Sequence, residues 1–522
     1  LYATDNLRYI IQRDWSKYWT LNPTATEREA IQDIVKHKLP KTTPYSPLWY
    51  KNKLYDVQAM TANHGLPFLF MTLTVDDVSS TKWTEYTDLE EILKQYHPSL
   101  TYQNAPAECA LLFHHRFTNF FDSYILGKGT DIHLLGRITH YVVRYEMQSR
   151  QAMHAHVCLW VHDDDKSRVA SEITQEIPGQ YDEASKQFTI PEDPLLAKLH
   201  NIILTKNQHT CRKGECFVRG KCRYGYPFKV NHETRPVLDD ENNRYNYYCP
   251  RYCDRNTVPY HPMVRLQTFF FFLSLSLTNI KTLHSHFVLL HLQVALFWNA
   301  HTNVVRVTDS DLSYYLLKYT TKTEPLGEIT ITPEMTQLLA THNIPLPLAQ
   351  SIAAITRSQP VSCQEAVLQM LGIDLIRLSD QVLFLNTPVP YLRKANTLRL
   401  HRQGASFKLT NITEYECRPN TPELKHITFV EYFENYEIRK EMRKTGDYEF
   451  LGRDTTSGCN FIYKRKEPIV VRLTRCFPDH SDPDGFFFNL LLMHCPFVTE
   501  NDFTNGPNNN KNHDSYYAEC WY

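Results

Sequence analysis

The chain has 522 residues, 42% hydrophobic and 22% charged, and its 56 Lys and Arg are offset by 57 Asp and Glu for a formal net charge of −1. At ~100 to 200 residues per domain this length predicts about three or four domains, and the composition excludes a chain that is disordered or membrane-embedded throughout. With no global field to attract a polyanion, any nucleic-acid surface must come from local clustering of Lys and Arg. Residues 1–60 read as an N-terminal extension, with a helix after "NPTATEREAIQDIVKHK" that Thr26 is placed to cap. "LPFLFMTLTVDD" (66–77) has the β-branched and aromatic character of a buried strand, and "ALLFHHRFTNFFDSYILGK" has apolar residues at helical spacing. "LLGRITHYVVRYEMQ" and "HAHVCLWV" are two further strands, so the predicted order is strand, helix, strand, strand. If the last two pair as a hairpin around "SRQAM", Glu146 and Gln148 come across the turn from His154 and His156 and can share their face.

Further along, a basic cluster runs from Lys206 to Lys229, with Arg212, Lys213, Arg219, Lys221 and Arg223 set against a single acid, Glu215. Residues 268–293, "TFFFFLSLSLTNIKTLHSHFVLLHLQ", hold no acid and follow neither strand nor helix period. Polar residues interrupt them too often for a membrane span. Their Phe, Leu and Ser usage, which pyrimidine-rich codons would produce, is what a translated intron looks like. "DLSYYLLKYTTK" (311–322) is helix-like, and "SCQEAVLQMLG" (362–372) is a clearer helix, with Ser362 and Glu365 as a capping box and Gly372 at its end. The segment 331–500 reads as mixed α/β, and 501–522, with its Asn-rich run, as a flexible tail. Thirteen cysteines, odd in number and unevenly spread, with no secretory leader, argue for a reducing compartment, the cytosol or nucleus. A start at Leu1 rather than Met suggests a piece of a longer product. No Gly-x-x-x-x-Gly-Lys-Ser/Thr loop occurs, so no ATPase activity is expected of this piece.

Three constellations carry chemistry. A strand sends residues i and i+2 to one face, so His154 and His156 can aim both imidazoles at one ion, with Glu146 or Gln148 completing a site for Mg²⁺ or Mn²⁺. With 24 histidines, roughly one His-x-His arises by chance, so two ordinary strand residues remain the alternative. Tyr315 and Tyr319 stand four apart on one helix face, and Lys318 and Lys322 repeat that spacing on the neighbouring stripe, where they can neutralise DNA phosphates. Packing is the competing account of this pair. The third group, "HTCRKGECFVRGKC", offers His209, Cys211, Cys216 and Cys222 to a structural Zn²⁺, with Cys249 and Cys253 available to complete the shell, against the alternative of reduced thiols in a basic loop. Alternating basic and aromatic residues in "KCRYGYPFK" suit phosphate pairing and base stacking along single-stranded DNA.

The order of these pieces resembles the Rep part of Helitron rolling-circle transposases, the Helitron helicase-like N-terminal domain, of the HUH endonuclease class. The resemblance rests on "FLFMTLTVDD" against a Phe-x-Thr-x-Thr strand, on "FFDSYILGK", and on "YEMQSRQAMHAHVCLWV" against a Glu-x-Gln-x-Arg-Gly-x-x-His-x-His block. "TVPYHPMV", "LFWNAHTNVV" and "YLLKYTTK" follow in the expected succession, and "SCQEAVLQMLG" and "FFFNLLLMHCP" resemble segments found ahead of the helicase. Gln151 and Met153 stand where the family commonly has Gly and a Pro or Leu.

The resemblance spans 60–500 and implies an α+β fold, an HUH endonuclease-like central antiparallel sheet flanked by helices, occupying 61–330 with the Cys-rich basic insertion at 200–255. It further implies that His154 and His156 bind the catalytic ion, with Glu146 favoured over Gln148 as third ligand. Tyr315 and Tyr319 would then be paired nucleophiles leaving a 5′-phosphotyrosine link, and Arg150, Lys318 and Lys322 would contact DNA. Single-stranded DNA at transposon ends, a helicase domain in the intact product and a nuclear location follow, with no membrane. The rival expectation is a catalytically inactive, zinc-stabilised DNA-binding protein derived from such an element; a metallohydrolase using the His pair to activate water is a more distant one.

Overall fold

The computed structural model describes residues 47–76, 83–130, 132–147, 153–212, 216–218, 220–240, 244–261, 294–308, 362–392, 398–401, 404–407, 410–442, 449–455, 460–474, 483–504 and 517–521. The helix expected after Thr26, Gln148, Arg150, the insert at 268–293 and the helix of Tyr315, Lys318, Tyr319 and Lys322 lie outside the described residues. The chain divides into two compact units, Leu1–Ser379 and Asp380–Tyr522.

The first unit is α+β. Its elements are α1 (Pro47–His64), β1 (Leu69–Thr74), α2 (Thr84–Lys94), α3 (Pro106–Phe120), β2 (Ile138–Met147), β3 (Met153–Val161), α4 (Asp163–Glu172) and α5 (Pro194–Lys206). They continue with α6 (Val294–Trp298), β4 (Thr302–Arg306), α7 (Cys363–Met370) and β5 (Ile376–Leu378). The strands form one sheet in the order β4-β1-β3-β2-β5, and every pairing is antiparallel. The predicted strand, helix, strand, strand order and the hairpin of the last two are present. Residues 362–379 add α7, packed on α3, and the edge strand β5 to this unit.

Strand alternation sorts the side chains. Leu69, Met71 and Leu73 of β1, Ala155, Val157 and Leu159 of β3, and Val143 and Tyr145 of β2 are buried on one face. Helix α3 covers them with Phe113, Phe117 and Phe120, spaced three and four apart to make one stripe. Each such ring, fully buried, contributes about 1.5 to 3 kcal/mol. Trp83 and Trp298 meet edge to face at 5.1 Å beside this core, and the Trp298 indole donates to the Thr74 carbonyl at 2.8 Å, tying α6 to the end of β1.

Helix α1 lies against the other face. The Arg144 guanidinium sits 4.8 Å over the Tyr50 ring, His64 stacks on His140 at 3.6 Å, and the Trp160 indole donates to the Gly65 carbonyl at 2.8 Å. Ser362 caps α7 as expected, accepting from the Glu365 N–H at 3.1 Å, and Gly372 ends it at φ +70°, where a side chain would be strained. The reciprocal half of the capping box is not made: the Glu365 carboxylate accepts instead from Gln369 Nε2 at 3.1 Å, within a buried setting that includes Tyr50 and Arg144.

The second unit is mixed α/β. A three-stranded antiparallel sheet (Tyr436–Arg439, Phe461–Lys464, Phe450–Arg453) and a parallel pair (Val382–Phe384 with Val470–Arg472) accompany the helix Pro483–His494. Its core gathers Tyr415, Phe429, Tyr432, Phe488, Leu491 and Phe497. Arg418 is buried among them with its guanidinium donating to the carbonyls of Leu424, Tyr415 and Phe497, so the charge is surrounded by acceptors. Among the described residues no helix is long and apolar enough to cross a membrane.

Candidate functional site

The histidine pair occupies the α1-facing side of the sheet. On β3, His156 is in register with Thr72 of β1 and Arg144 of β2, and His154 with Thr74 and Glu146. Partners directly opposite in an antiparallel pair share a face, so two rows of three side chains lie side by side there. Thr74 Oγ1 is 2.8 Å from His154 Nδ1, and Thr72 Oγ1 is 3.1 Å from His156 Nδ1. Holding both Nδ1 atoms fixes ring orientation, the arrangement by which outer partners tune metal-binding histidines. Phe70 stacks on the His156 ring at 5.7 Å and completes the support.

Glu146 reaches diagonally, its Oε2 2.8 Å from His156 Nε2, and these two side chains keep 17% and 15% exposure. That distance is hydrogen-bond spacing, and Glu146, His154 and His156 are not among the groups of described residues whose donor atoms all lie within 4.8 Å of one another. His154 and His156 lie nearly parallel with ring centroids 6.3 Å apart, and must rotate toward each other to share an ion. Thus Glu146, His154 and His156 come together on one face. Gln148, Arg150, Tyr315, Lys318, Tyr319 and Lys322 are outside the described residues.

The Cys-rich insertion closes around His209. Its Nε2 lies 3.4 Å from Cys211 Sγ, 3.7 Å from Cys216 Sγ and 3.4 Å from Cys222 Sγ, and all four donor atoms fall within 4.8 Å of one another. Ligands of tetrahedral zinc, at ~2.3 Å to sulfur and ~2.0 Å to nitrogen, stand about 3.5 Å apart, so the set is compatible with a metal such as Zn²⁺. A short hairpin, Phe217–Val218 with Lys221–Cys222, returns Cys222 to Cys216, and the Arg212 N–H donates to Cys216 Sγ at 3.3 Å. Burial lowers the His209 pKa and favours the neutral, donating ring. Burial would raise the Cys222 thiol, but hydrogen bonds from the Tyr226 and Tyr224 backbone and from Cys211 and Cys216 outweigh it and hold the pKa below its ordinary value.

Cys249 and Cys253, expected as further ligands, are not part of this group. The Cys249 thiol points to the Arg251 carbonyl at 3.9 Å, and burial together with Asp254 pushes its pKa up to about 12. The basic cluster also needs correction. Lys206 is buried in an ion pair with Asp76 at 2.6 Å and donates to the Asn299 carbonyl at 3.0 Å, while Lys229 pairs with Asp239 at 3.0 Å. Lys206 thereby ties α5 to the segment after β1, while Lys229 makes a half-exposed local pair.

Sequence reasoning missed Arg144, which is 1% exposed in the His156 row, with Nε and Nη1 lacking a hydrogen-bond acceptor among the described residues. It also missed the buttressing role of Thr72 and Thr74. Their i, i+2 spacing mirrors that of the histidines and was the available signal. No curated protein matches the chain. Residues 2–159 match the model of a family described as the Helitron helicase-like domain at the N-terminus, a stretch that takes in β1, the helices after it and all but the end of the β2–β3 hairpin, and over that stretch the chain is similar to this family.

Proposed function

We propose that the chain nicks and rejoins single-stranded DNA as the Rep part of a Helitron-type rolling-circle element, with Mg²⁺ or Mn²⁺ held by His154, His156 and Glu146. The observation that carries this reading is the Glu146 carboxylate 2.8 Å from His156 Nε2 on a sheet face where both imidazoles are backed by threonines. When bound, the ion polarises a non-bridging oxygen of the scissile phosphate. Tyr315 or Tyr319 supplies the nucleophile: its phenol oxygen bonds to phosphorus, the bond from phosphorus to the 3′-oxygen breaks, and that oxygen leaves as a hydroxyl with a proton equivalent to the one the phenol gave up. The ester energy stays in the phosphotyrosine link, so rejoining needs no nucleotide, in keeping with the missing ATPase loop.

A second reading is a zinc-stabilised, non-catalytic DNA-binding protein of the same descent, favoured by the 6.3 Å between parallel histidine rings. One experiment separates the two. Incubated with labelled single-stranded DNA and Mn²⁺, the protein should form a covalent adduct that survives denaturation and disappears in Tyr315→Phe or Tyr319→Phe. DNA retention without an adduct supports the second reading. Free 5′-phosphate ends without an adduct point to a water-activating hydrolase instead.

A further inference from the structure

Beside the Cys-His cluster the first unit has a groove of about 960 Å³, bounded by residues of the insertion and by β4. Its size is at the top of the ~300 to 1,000 Å³ range of small-ligand pockets. Four arginines line it, Arg212, Arg223, Arg244 and Arg306, and no carboxylate is among the lining residues. In a chain of net charge −1 this is a strong local concentration of positive charge.

The arginines are paired with rings. The Arg306 guanidinium lies 4.4 Å from the Tyr245 ring centre and makes no ion pair among the described residues. Arg223 lies 4.7 Å from the Tyr224 ring, and that tyrosine is 48% exposed. Arg244 is packed 3.7 Å over Phe228 and donates to the Tyr224 carbonyl at 3.2 Å, bracing the turn. Gly225, at φ +74°, leaves the room this needs, since a Cβ there would collide with the guanidinium. Planar guanidinium and aromatic surfaces alternating with fixed positive charge are the chemistry that binds stacked bases and their phosphates.

The groove also has a direction. Asn303 and Val305 line it and are the register partners of Thr72 and Phe70, so they project on the histidine face of the sheet. Asn303 stands two strands from His156, about 10 Å at the usual strand spacing. Its amide oxygen takes no hydrogen bond among the described residues.

We infer that this groove is a single-stranded DNA track, in which Arg306 with Tyr245 and Arg223 with Tyr224 hold bases and phosphates and lead the strand over Asn303 to the His154 and His156 face. The inference rests on the proposed DNA function and adds where the strand lies. Its test is fluorescence anisotropy of the full chain with a labelled mixed-sequence single-stranded oligonucleotide, its abasic analogue and the corresponding duplex. Arg306→Ala and Tyr245→Leu should each weaken single-strand binding about tenfold. Arg306→Ala should also reduce the slope of log affinity against log salt by about 0.7. Tyr245→Phe, which keeps the ring face, should retain affinity, and zinc content and Tm should be unchanged in all three.

The abasic strand should bind the wild type more weakly than the parent strand. Wild-type binding with no loss in either groove variant overturns the track and leaves the DNA function standing. Absence of wild-type binding to single strands overturns both. Preference for the duplex, or equal binding of the abasic strand, overturns the stacking role.

Discussion

The two candidate metal centres of the first unit are built in opposite ways. The sheet-face group rests on regular structure, with ligands from adjoining strands at register positions and threonines of a third strand holding the imidazoles. The insertion cluster rests on a loop, and there the four donors themselves bring the chain together around His209. The strand-borne group is placed by sheet register and still has parallel rings to bring together, whereas the loop-borne group already has its donor atoms within 4.8 Å of one another, supported by a short hairpin and the Arg212 N–H on Cys216 Sγ. A strand-supported group of the first kind suits a site with open coordination positions, and a loop-borne group of the second kind suits a metal that orders its own loop.

The largest expected effect breaks that contrast at the loop. Cys222→Ser or chelation should release zinc and expose residues 209–226 to proteolysis, since structural zinc in small sites is worth about 10 to 16 kcal/mol, while the sheet keeps its cooperative melt. Collapse of the whole unit would mean that the two centres are not separable. Next comes Lys206→Met, which strips Asp76 of its buried partner at the end of α5, between the sheet and the insertion. Loss of one member of such a pair costs about 3 to 5 kcal/mol, and urea unfolding should show it.

A smaller effect sharpens the comparison on the sheet. Thr72→Val removes the oxygen behind His156 Nδ1 at nearly constant volume, and Mn²⁺ affinity should fall about 10- to 100-fold in calorimetry with zinc content unchanged. The smallest concerns Glu365. Burial raises its pKa in the folded chain, so its contribution to stability is full below the unfolded value and is lost as pH rises through the folded one. Glu365→Gln should therefore raise Tm at about pH 8, and the gain should fade toward about pH 4, near the ordinary carboxyl range.

Local pattern made part of this molecule legible. Alternation in "YVVRYEMQ" and "HAHVCLWV" is enough to pair β2 with β3 and bring Glu146 to the histidines, and Phe spacing is enough for α3 and its buried stripe. Long-range partners were not legible. Strand β4 joins β1 from more than 220 residues downstream, and β5 closes the other edge from after α7, so neither the groove lining nor the full sheet follows from period alone. Lys206 shows the limit of counting charges: a lysine in a basic run reads as exposed until a distant Asp76 is folded against it. Arg144 failed for a similar reason, because a strand arginine is usually solvated and only α1 lying over the sheet buries it.

The most direct test of the two-centre account is metal stoichiometry of wild-type, His156→Ala and Cys222→Ser chains, by elemental analysis for zinc and electron paramagnetic resonance for added Mn²⁺. Each wild-type chain should hold one zinc and take up one Mn²⁺; His156→Ala should lose only the Mn²⁺ and Cys222→Ser only the zinc. Mn²⁺ bound undiminished by His156→Ala would contradict the account.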